Sequence, residues 1–167
     1  MPQRPNIILI VLDTARAANM SAYGYNRETT PNLEELADDA VVYENAFTPS
    51  PWSLPSHTSL FTGFRPSKHG AHELHTQYDG RYETIAEYLS SQDYSTVGVS
   101  SNNWVSDEFG LGRGFDNMIE IWKLFDTEIG SWELSKSSLR ERIVEYKTQG
   151  ELGRSLANVA YRMLYFK

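Results

Sequence analysis

The stretch 51–63 contains the residues best suited to chemistry, because it places serine hydroxyls at the start of a predicted helix. Pro55 suits the first helical turn, where its missing N–H costs nothing, and Gly63 is a typical residue just past a helix end. Ser53 therefore lies where free N–H groups and the positive end of the helix dipole stabilise an anion or a developing alkoxide. Such a hydroxyl can become a nucleophile if it also touches a metal. The alternative is that Ser53 or Ser56 only caps the helix.

Asp13 is a second candidate, because it directly follows a run typical of a buried strand. Residues 6–12 are continuously apolar after Asn6 and rich in β-branched side chains, which predicts a central strand of a parallel sheet. Ligands bind beyond the carboxyl ends of such strands, and a carboxylate is a good ligand there for a hard metal ion. The alternative is that Asp13 caps the turn that follows.

Three histidines follow the predicted helix at intervals of three residues: His69, His72 and His75. That interval would suit metal ligands on one face of a helix. Gly70 and the lack of apolar periodicity argue against a helix, so we expect His72 and His75 to lie in a surface loop.

The elements that must position these residues alternate between helix and strand, which predicts an α/β fold with the helices against the faces of one sheet. Helices are predicted at 31–40, with Thr30 as cap, and at 84–92, and strands at 41–47 and 95–99. We predict two parts, a domain portion over 1–125 and a helical extension over 126–167. The extension has helical patterns at 139–147 and 152–166.

Composition excludes several classes of protein. The chain has 167 residues and a net charge of −7, and it has no basic stripe that would neutralise the phosphates of a nucleic acid. Cysteine is absent, which excludes disulfides and thiolate metal sites. No apolar run reaches the length of a membrane span or of a signal sequence, and the helix at 152–166 gives only a modest signal for a membrane surface. We therefore expect a cytoplasmic protein that binds no nucleic acid.

The stretch around Ser53 resembles the signature of the sulfatase family, within the alkaline-phosphatase-like superfamily. That signature has Cys or Ser, any residue, Pro, Ser and Arg, followed by a Leu-Thr-Gly segment. The matching residues are Ser53, Pro55, Ser56, Leu60, Thr62 and Gly63, and His57 replaces the Arg. In sulfatases the Cys or Ser is oxidised to formylglycine, and the Arg belongs to the recognition motif for that step. We therefore predict that Ser53 remains serine.

Further matches lie at the start of the chain and support the same resemblance. The family's first strand ends in one or two metal-binding Asp residues, of which Asp13 matches the first and Thr14 replaces the second. Arg16 also matches, but Ala18 stands where relatives commonly have another acidic residue. Arg16 either steadies an anionic group of the substrate or pairs with a carboxylate of the protein.

The segment after the predicted strand 95–99 departs from the family. Sulfatases have Gly-Lys-Trp-His there, and its Lys and His contact the sulfate, whereas this chain has Ser101, Asn102, Asn103 and Trp104. Either asparagine could bind an ester oxygen as a neutral donor, or it could cap a turn. Relatives with an unmodified Ser or Thr act on phosphate or phosphonate esters or transfer phosphoglycerol groups, so these replacements favour chemistry at phosphorus.

The resemblance implies an alkaline-phosphatase-like three-layer sandwich with a mostly parallel sheet, of which this chain covers the N-terminal part. It also implies a metal-dependent hydrolase of sulfate esters of small molecules or glycans, and possible activity on phosphate or phosphonate esters. Ser53 and His57 would be catalytic, with His57 either orienting the nucleophile or donating to an ester oxygen. Asp13 and Ser53 would bind a divalent metal, and Arg16, Asn102 and Asn103 would bind substrate.

The residue types do not distinguish Ca²⁺, Mg²⁺, Mn²⁺ and Zn²⁺. The family's later Asp–His metal ligands have no match here, because no histidine follows His75. We therefore expect these 167 residues to bind a metal weakly by themselves. The alternative function is a truncated, non-catalytic relative that keeps the sheet but not the activity.

Overall fold

The computed structural model describes residues 4–123, and the chain divides into two compact units. The first unit ends at Thr48 and the second begins at Pro49. The predicted extension 126–167 and its two helices lie outside the described residues, so they stay predictions. None of the helices within residues 4–123 has the length and apolar character needed to cross a lipid bilayer.

The first unit differs from the sequence prediction, because residues 4–48 contain helices and turns but no strand. Two short 3₁₀ helices, Ala17–Asn19 and Ser21–Tyr23, precede helix α1 at Pro31–Asp38. The predicted strands 6–12 and 41–47 are therefore wrong for this structure, and their apolar side chains are exposed. An apolar run favours a strand only where a neighbouring segment supplies ladder hydrogen bonds, and these two runs form no ladder with any described residue.

Thr30 occupies the predicted N-cap position of α1, but its side chain makes no capping hydrogen bond. Its hydroxyl instead accepts a hydrogen bond from the main-chain N–H of Ala22 at 3.2 Å and contacts the Ser21 hydroxyl at 3.2 Å. The side chain thus ties the second 3₁₀ helix to the start of α1. The helix itself relies on Pro31 at its first position.

The second unit contains three helices and a parallel pair of strands. The helices are α2 at Ser53–Thr62, α3 at Pro66–His69 and α4 at Ile85–Ser91, and the strands are β1 at Val97–Ser100 and β2 at Asn117–Glu120. The α/β class is thus present in the described residues as a small parallel sheet with helices. The sequence did not predict β2, and the three-layer sandwich stays a prediction.

The register of the two strands is fixed just before they begin. The main-chain N–H of Thr96 donates to the Asp116 carboxylate at 2.9 Å, and the Thr96 hydroxyl accepts from the Asp116 N–H at 3.0 Å. The same hydroxyl donates to the carbonyl of Gly114 at 2.7 Å. These bonds set Val97 opposite Asn117, the first pair of the ladder.

The core of this unit lies beneath α2. Leu54 and Phe61, seven residues apart on α2, face the same side of the helix and join an aromatic and aliphatic cluster. Its other buried members are Ala71, Tyr78, Val105, Phe109 and Leu111. Full burial of a side chain such as Leu54, which is 0% exposed, contributes about 1.5–3 kcal/mol. The core therefore holds the start of α2 firmly in place.

Candidate active site

Ser53 is the first helical residue of α2, one position later in the chain than the cap. The N-cap residue is Trp52, which makes no side-chain capping hydrogen bond. Gly63 ends the helix in the left-handed conformation, with φ of 75°, as its position in the sequence predicts. Ser53 therefore stands in the first turn of α2, at the positive end of the helix dipole.

The Ser53 hydroxyl meets Asn102, which lies just beyond the carboxyl end of β1. The side-chain amide of Asn102 donates to Ser53 Oγ at 2.9 Å. The other side-chain atom of Asn102, Oδ1, accepts from the N–H of Trp104 at 3.0 Å, and this bond fixes the orientation of the amide group. Ser100, the last residue of β1, bonds through its hydroxyl to both the N–H and the carbonyl of Asn102. The structure thus selects Asn102 as the residue that contacts Ser53.

The main-chain carbonyl of Ser53 is held by two side chains from the next turn of α2. The Ser56 hydroxyl donates to it at 3.0 Å, and His57 Nδ1 donates to it at 2.8 Å. A carbonyl oxygen only accepts, so Nδ1 carries the proton and Nε2 of the neutral ring is an acceptor. His57 is buried against Phe61, whose ring meets it edge to face at a centroid distance of 6.3 Å. His57 is thus a positioning residue for the Ser53 peptide.

Two tryptophans support the two halves of this site. Trp52 precedes Ser53, Trp104 follows the asparagine pair, and their rings meet edge to face with centroids 5.1 Å apart. Trp104 also packs on the buried Phe109 at 4.6 Å. These contacts join the start of α2 to the loop after β1, so they help to maintain the distance between the Ser53 hydroxyl and its donor.

A buried histidine ties α2 to the segment that follows it. His69 is 1% exposed, and its Nδ1 accepts from the N–H of Ala71 at 3.2 Å. Nε2 therefore carries the proton of the neutral ring and donates to Ser59 Oγ at 2.9 Å. Burial lowers the pKa of His69, and the nearby Arg81 charge acts in the same direction. This contact was not predicted from the sequence.

The structure does not bring every predicted residue to Ser53. Asn103 contributes its main-chain carbonyl to the Ser106 hydroxyl at 2.7 Å, which is a turn contact. Asp13 and Arg16 are exposed residues of the first unit, whereas Ser53 belongs to the second, so their part in one site stays a prediction.

His69, His72 and His75 do not lie on one helix. This agrees with the prediction from Gly70 and the lack of apolar periodicity. His69 ends α3, while His72 and His75 face each other across a tight turn as an isolated antiparallel bridge. Within residues 4–123, no three or more His, Asp or Glu side chains come together to hold a metal ion.

Ser53 at the start of α2 and Asn102 just beyond the end of the parallel strand β1 thus form a candidate site within a small α/β unit. The family model described as Sulfatase matches residues 5–149. This chain therefore belongs to the sulfatase family, whose members generally use a divalent metal ion.

Several characterised proteins are similar to it. Iduronate 2-sulfatase of Mus musculus is 30% identical over 121 residues, covering 66% of this chain and 21% of that protein. N-acetylglucosamine-6-O-sulfatase of Bacteroides thetaiotaomicron is 27% identical over 115 residues, covering 69% of this chain and 20% of the relative. An arylsulfatase of Clostridium perfringens is 34% identical over 94 residues, covering 56% of this chain and 20% of the relative. The chain thus spans about a fifth of the length of these relatives, and no solved structure matches it.

Proposed function

We propose that Ser53 is the nucleophile of a sulfatase-family hydrolase that acts on sulfate esters, with phosphate or phosphonate esters as a second substrate class. The observation that carries this proposal is the hydrogen bond from Asn102 to Ser53 Oγ at the start of α2. A neutral donor and a helix N-terminus both stabilise negative charge on that oxygen. The unmodified serine, together with the absence of the family's Lys and His from the segment 101–104, favours the second class, the phosphorus esters.

The proposed reaction has two steps. Ser53 Oγ releases its proton to solvent as it attacks sulfur or phosphorus. Its bond to that atom forms as the ester bond to the leaving oxygen breaks, and the departing alkoxide takes up a proton from solvent. Water then hydrolyses the covalent serine ester and restores the Ser53 hydroxyl. The product is inorganic sulfate or phosphate, or a phosphate monoester or phosphonate when the substrate is a phosphodiester or a phosphonate ester. His57 and Ser56 act on this step by fixing the Ser53 peptide, through the hydrogen bonds to its carbonyl.

Other parts of the proposal rest on the resemblance to the family. Asp13 would be a metal ligand, Arg16 and Asn103 would contact substrate, and the complete fold would be the three-layer sandwich. A bound divalent metal would supply Lewis-acid stabilisation of the developing negative charge. The substrate would be a small-molecule or glycan ester, in keeping with the names of the relatives.

The test compares the complete encoded protein with its Ser53→Ala variant. Hydrolysis of an aryl sulfate and an aryl phosphodiester is measured in Ca²⁺, Mg²⁺, Mn²⁺ or Zn²⁺ and in a chelator. We expect metal-dependent turnover that Ser53→Ala abolishes, and a sulfo or phospho group on the peptide that contains Ser53 after rapid acid quenching. Ser90→Ala, at an exposed position on α4, is the matched control and should retain full activity.

The alternative function is a non-catalytic relative. It is favoured by the loss of two acidic residues of the family, at Thr14 and Ala18. No covalent adduct and no turnover above the Ser53→Ala variant in any metal would contradict the hydrolase and support this alternative.

A further inference from the structure

Glu120 is a buried carboxylate that the proposed reaction does not use, and it lies at the same end of the sheet as the candidate site. It is the last residue of β2 and pairs in the ladder with Ser100, the last residue of β1. Side chains alternate between the two faces along a strand, and in both strands the last side chain is on the buried face. Ser100 and Glu120 therefore lie side by side beneath the sheet.

These two side chains hold the two ends of the segment that begins with Asn102. The Ser100 hydroxyl accepts from the N–H of Asn102 at 3.1 Å and donates to its carbonyl at 2.9 Å. Farther along the chain, Glu120 Oε1 accepts from the main-chain N–H of Asp107 at 3.1 Å. The segment is thus anchored at both ends to neighbouring positions of the parallel sheet.

Hydrogen bonds inside the segment connect Asp107 to Asn102. The N–H of Val105 donates to the Asn102 carbonyl at 2.9 Å. The hydroxyl of Ser106, which is buried, donates to the carbonyl of Asn103 at 2.7 Å. Each part of the segment is therefore tied to the part before it, so a displacement of Asp107 is transmitted back to Asn102.

Lys123 fixes the orientation of the Glu120 carboxylate. Its Nζ pairs with Oε2, while Oε1 contacts the Asp107 N–H. The side chain of Glu120 is 5% exposed and that of Lys123 is 19% exposed, so the pair is largely removed from water. A buried ion pair contributes little net stability, because the cost of desolvation offsets the attraction. Stability alone therefore does not account for a carboxylate at this position.

We propose that Glu120 is a positioning residue that acts on the reaction through Asn102. Its Oε1 fixes Asp107, and the segment that ends there fixes the amide that donates to Ser53 Oγ. The proposal rests on the proposed function and deepens it, because it assigns the direction of the Asn102 donor to a carboxylate on the neighbouring strand. Donors with a fixed direction stabilise developing charge most effectively, so loss of the Oε1 contact lowers kcat and leaves KM unchanged.

The test compares two variants of the complete encoded protein that differ only in the acceptor. The acceptor variant, Glu120→Gln/Lys123→Met, removes both charges but keeps an oxygen that can accept from the Asp107 N–H. The apolar variant, Glu120→Met/Lys123→Met, has the same charge and a similar side-chain volume but lacks that oxygen. In steady-state kinetics with an aryl ester, we expect the acceptor variant to keep the parent kcat and the apolar variant to lose about 5-fold. If the apolar variant does not fold, Glu120→Ala/Lys123→Met replaces it with the same expected loss.

A double-mutant cycle tests whether Glu120 acts through Asn102. Asn102→Ala alone should lower kcat about 10-fold, and adding it to the apolar variant should leave the total loss at about 10-fold, because the two changes remove the same interaction. A total loss of about 50-fold would show that the two residues act independently and would overturn the proposal. Equal kcat values for the acceptor and apolar variants would also overturn it.

The matched control is Glu87, a carboxylate with the same two kinds of contact. It accepts from the main-chain N–H of Thr84 at 2.9 Å and pairs with Arg113 at 2.9 Å. These contacts hold the start of α4 rather than the segment that carries Asn102. Glu87→Met/Arg113→Met should therefore keep the parent kcat. A loss equal to that of the apolar variant would show that general destabilisation lowers the activity, and it would overturn the proposal.

An NMR measurement that needs no turnover separates this proposal from the proposed function. In protein with isotope-labelled asparagine, the side-chain amide signal of Asn102 is assigned by its loss in Asn102→Ala. Ser53→Ala should shift this signal because it removes the acceptor, and the apolar variant should shift it in the same direction, whereas the acceptor variant should not. If these shifts occur without turnover in any protein, the hydrolase fails while the action of Glu120 on Asn102 stands. An unchanged signal in the apolar variant would overturn that action whatever the activity.

Discussion

The side-chain amide of Asn102 lies 2.9 Å from Ser53 Oγ, although 49 residues separate the two in sequence. The amide is oriented by the N–H of Trp104, so the donor points at the hydroxyl before any substrate binds. Catalytic donors are most effective when their direction is fixed in advance, because no reorganisation is then needed during reaction. This contact connects the end of the parallel strand β1 to the start of α2.

Replacing Asn102 with alanine should lower Ser53-dependent hydrolysis about 10-fold, since one hydrogen bond to the reacting oxygen is lost. Steady-state kinetics with an aryl ester would measure the loss, which we expect in kcat rather than in KM. Asn117→Ala, at an exposed position of β2, is the control and should leave both constants unchanged. Equal activity of the Asn102→Ala protein and its parent would show that this donor does not act in the reaction.

His57→Ala should destabilise the protein by about 2 kcal/mol, because it removes a buried ring and the donor to the Ser53 carbonyl. His57→Asn should recover part of the loss, since its side-chain amide can replace the Nδ1–H donor. Urea denaturation and kinetics on the same proteins separate stability from activity. A positioning role predicts that His57→Asn recovers activity as well as stability, and failure to recover activity would contradict it.

Ser53 should remain an unmodified serine, because His57 stands where the recognition motif for formylglycine formation has arginine. Mass spectrometry of the peptide containing residues 51–65 would show the mass of serine in protein from its natural host. A peptide lighter by two hydrogens at Ser53 would contradict this prediction.

Acidification should destabilise the second unit through His69. Burial lowers the pKa of His69 below its usual value of 6.5, so the unfolded chain binds a proton more readily than the folded one. The contribution to stability is therefore complete above about pH 6.5 and is lost as the pH falls toward the folded pKa. Urea unfolding at a series of pH values would measure this loss.

Carboxylates also titrate on the acid side, so a comparison of variants is needed to isolate His69. His69→Gln should show a shallower dependence of unfolding free energy on pH than the parent, whereas His72→Gln, at a partly exposed position, should follow the parent. If His69→Gln does not fold, NMR titration of the His69 ring gives its pKa directly. A value above 6.5 would contradict the prediction.

Gly114→Ala should destabilise the protein by more than about 2 kcal/mol. Gly114 has φ of +82°, and a Cβ atom there would lie 2.1 Å from the main-chain nitrogen of Glu87. Gly63 is the matched control, since its φ is +75° but a Cβ atom added there would meet no other atom within 4 Å. Gly63→Ala should cost only the conformational strain, about 1–2 kcal/mol, and thermal unfolding would separate the two variants.

The sequence was informative where a local rule decides the structure. Pro55 and Gly63 predicted the course of α2, which extends from Ser53 to Thr62. Thr84 and Glu87 form a reciprocal capping box at the start of α4, a pattern that is visible as Thr-x-x-Glu. Each of these elements is determined by residues within a few positions of its ends.

The sequence was less informative where the structure depends on distant partners. Residues 6–12 have the composition of a buried strand, but composition does not supply a neighbouring strand, and none pairs with them in the described residues. The strand β2 is only four residues long, and its pairing depends on the contact of Thr96 with Asp116. Neither the absence of strand pairing at residues 6–12 nor the pairing of β2 can be predicted from local periodicity.

In the candidate site, the sequence likewise predicted the residue types but not their contacts. Ser53, Asn102 and Asn103 were all predicted as functional, but their spacing could not decide which asparagine contacts the serine. That choice depends on the turn that Ser100 and Trp104 impose on Asn102. The role of His57 was also undecided, because its partner is a main-chain carbonyl, which carries no sequence signal.

The contacts of the Ser53 carbonyl and of its hydroxyl differ in how much of the chain must be synthesised before they can form. Its carbonyl is held by residues three and four positions later, so those bonds need only the first turns of α2. Its hydroxyl must wait for Asn102, which is translated 49 residues later, and for the closure of that long loop. The carbonyl contacts of Ser53 are therefore local to α2, whereas its hydroxyl contact depends on the folding of the whole segment from α2 to the end of β1.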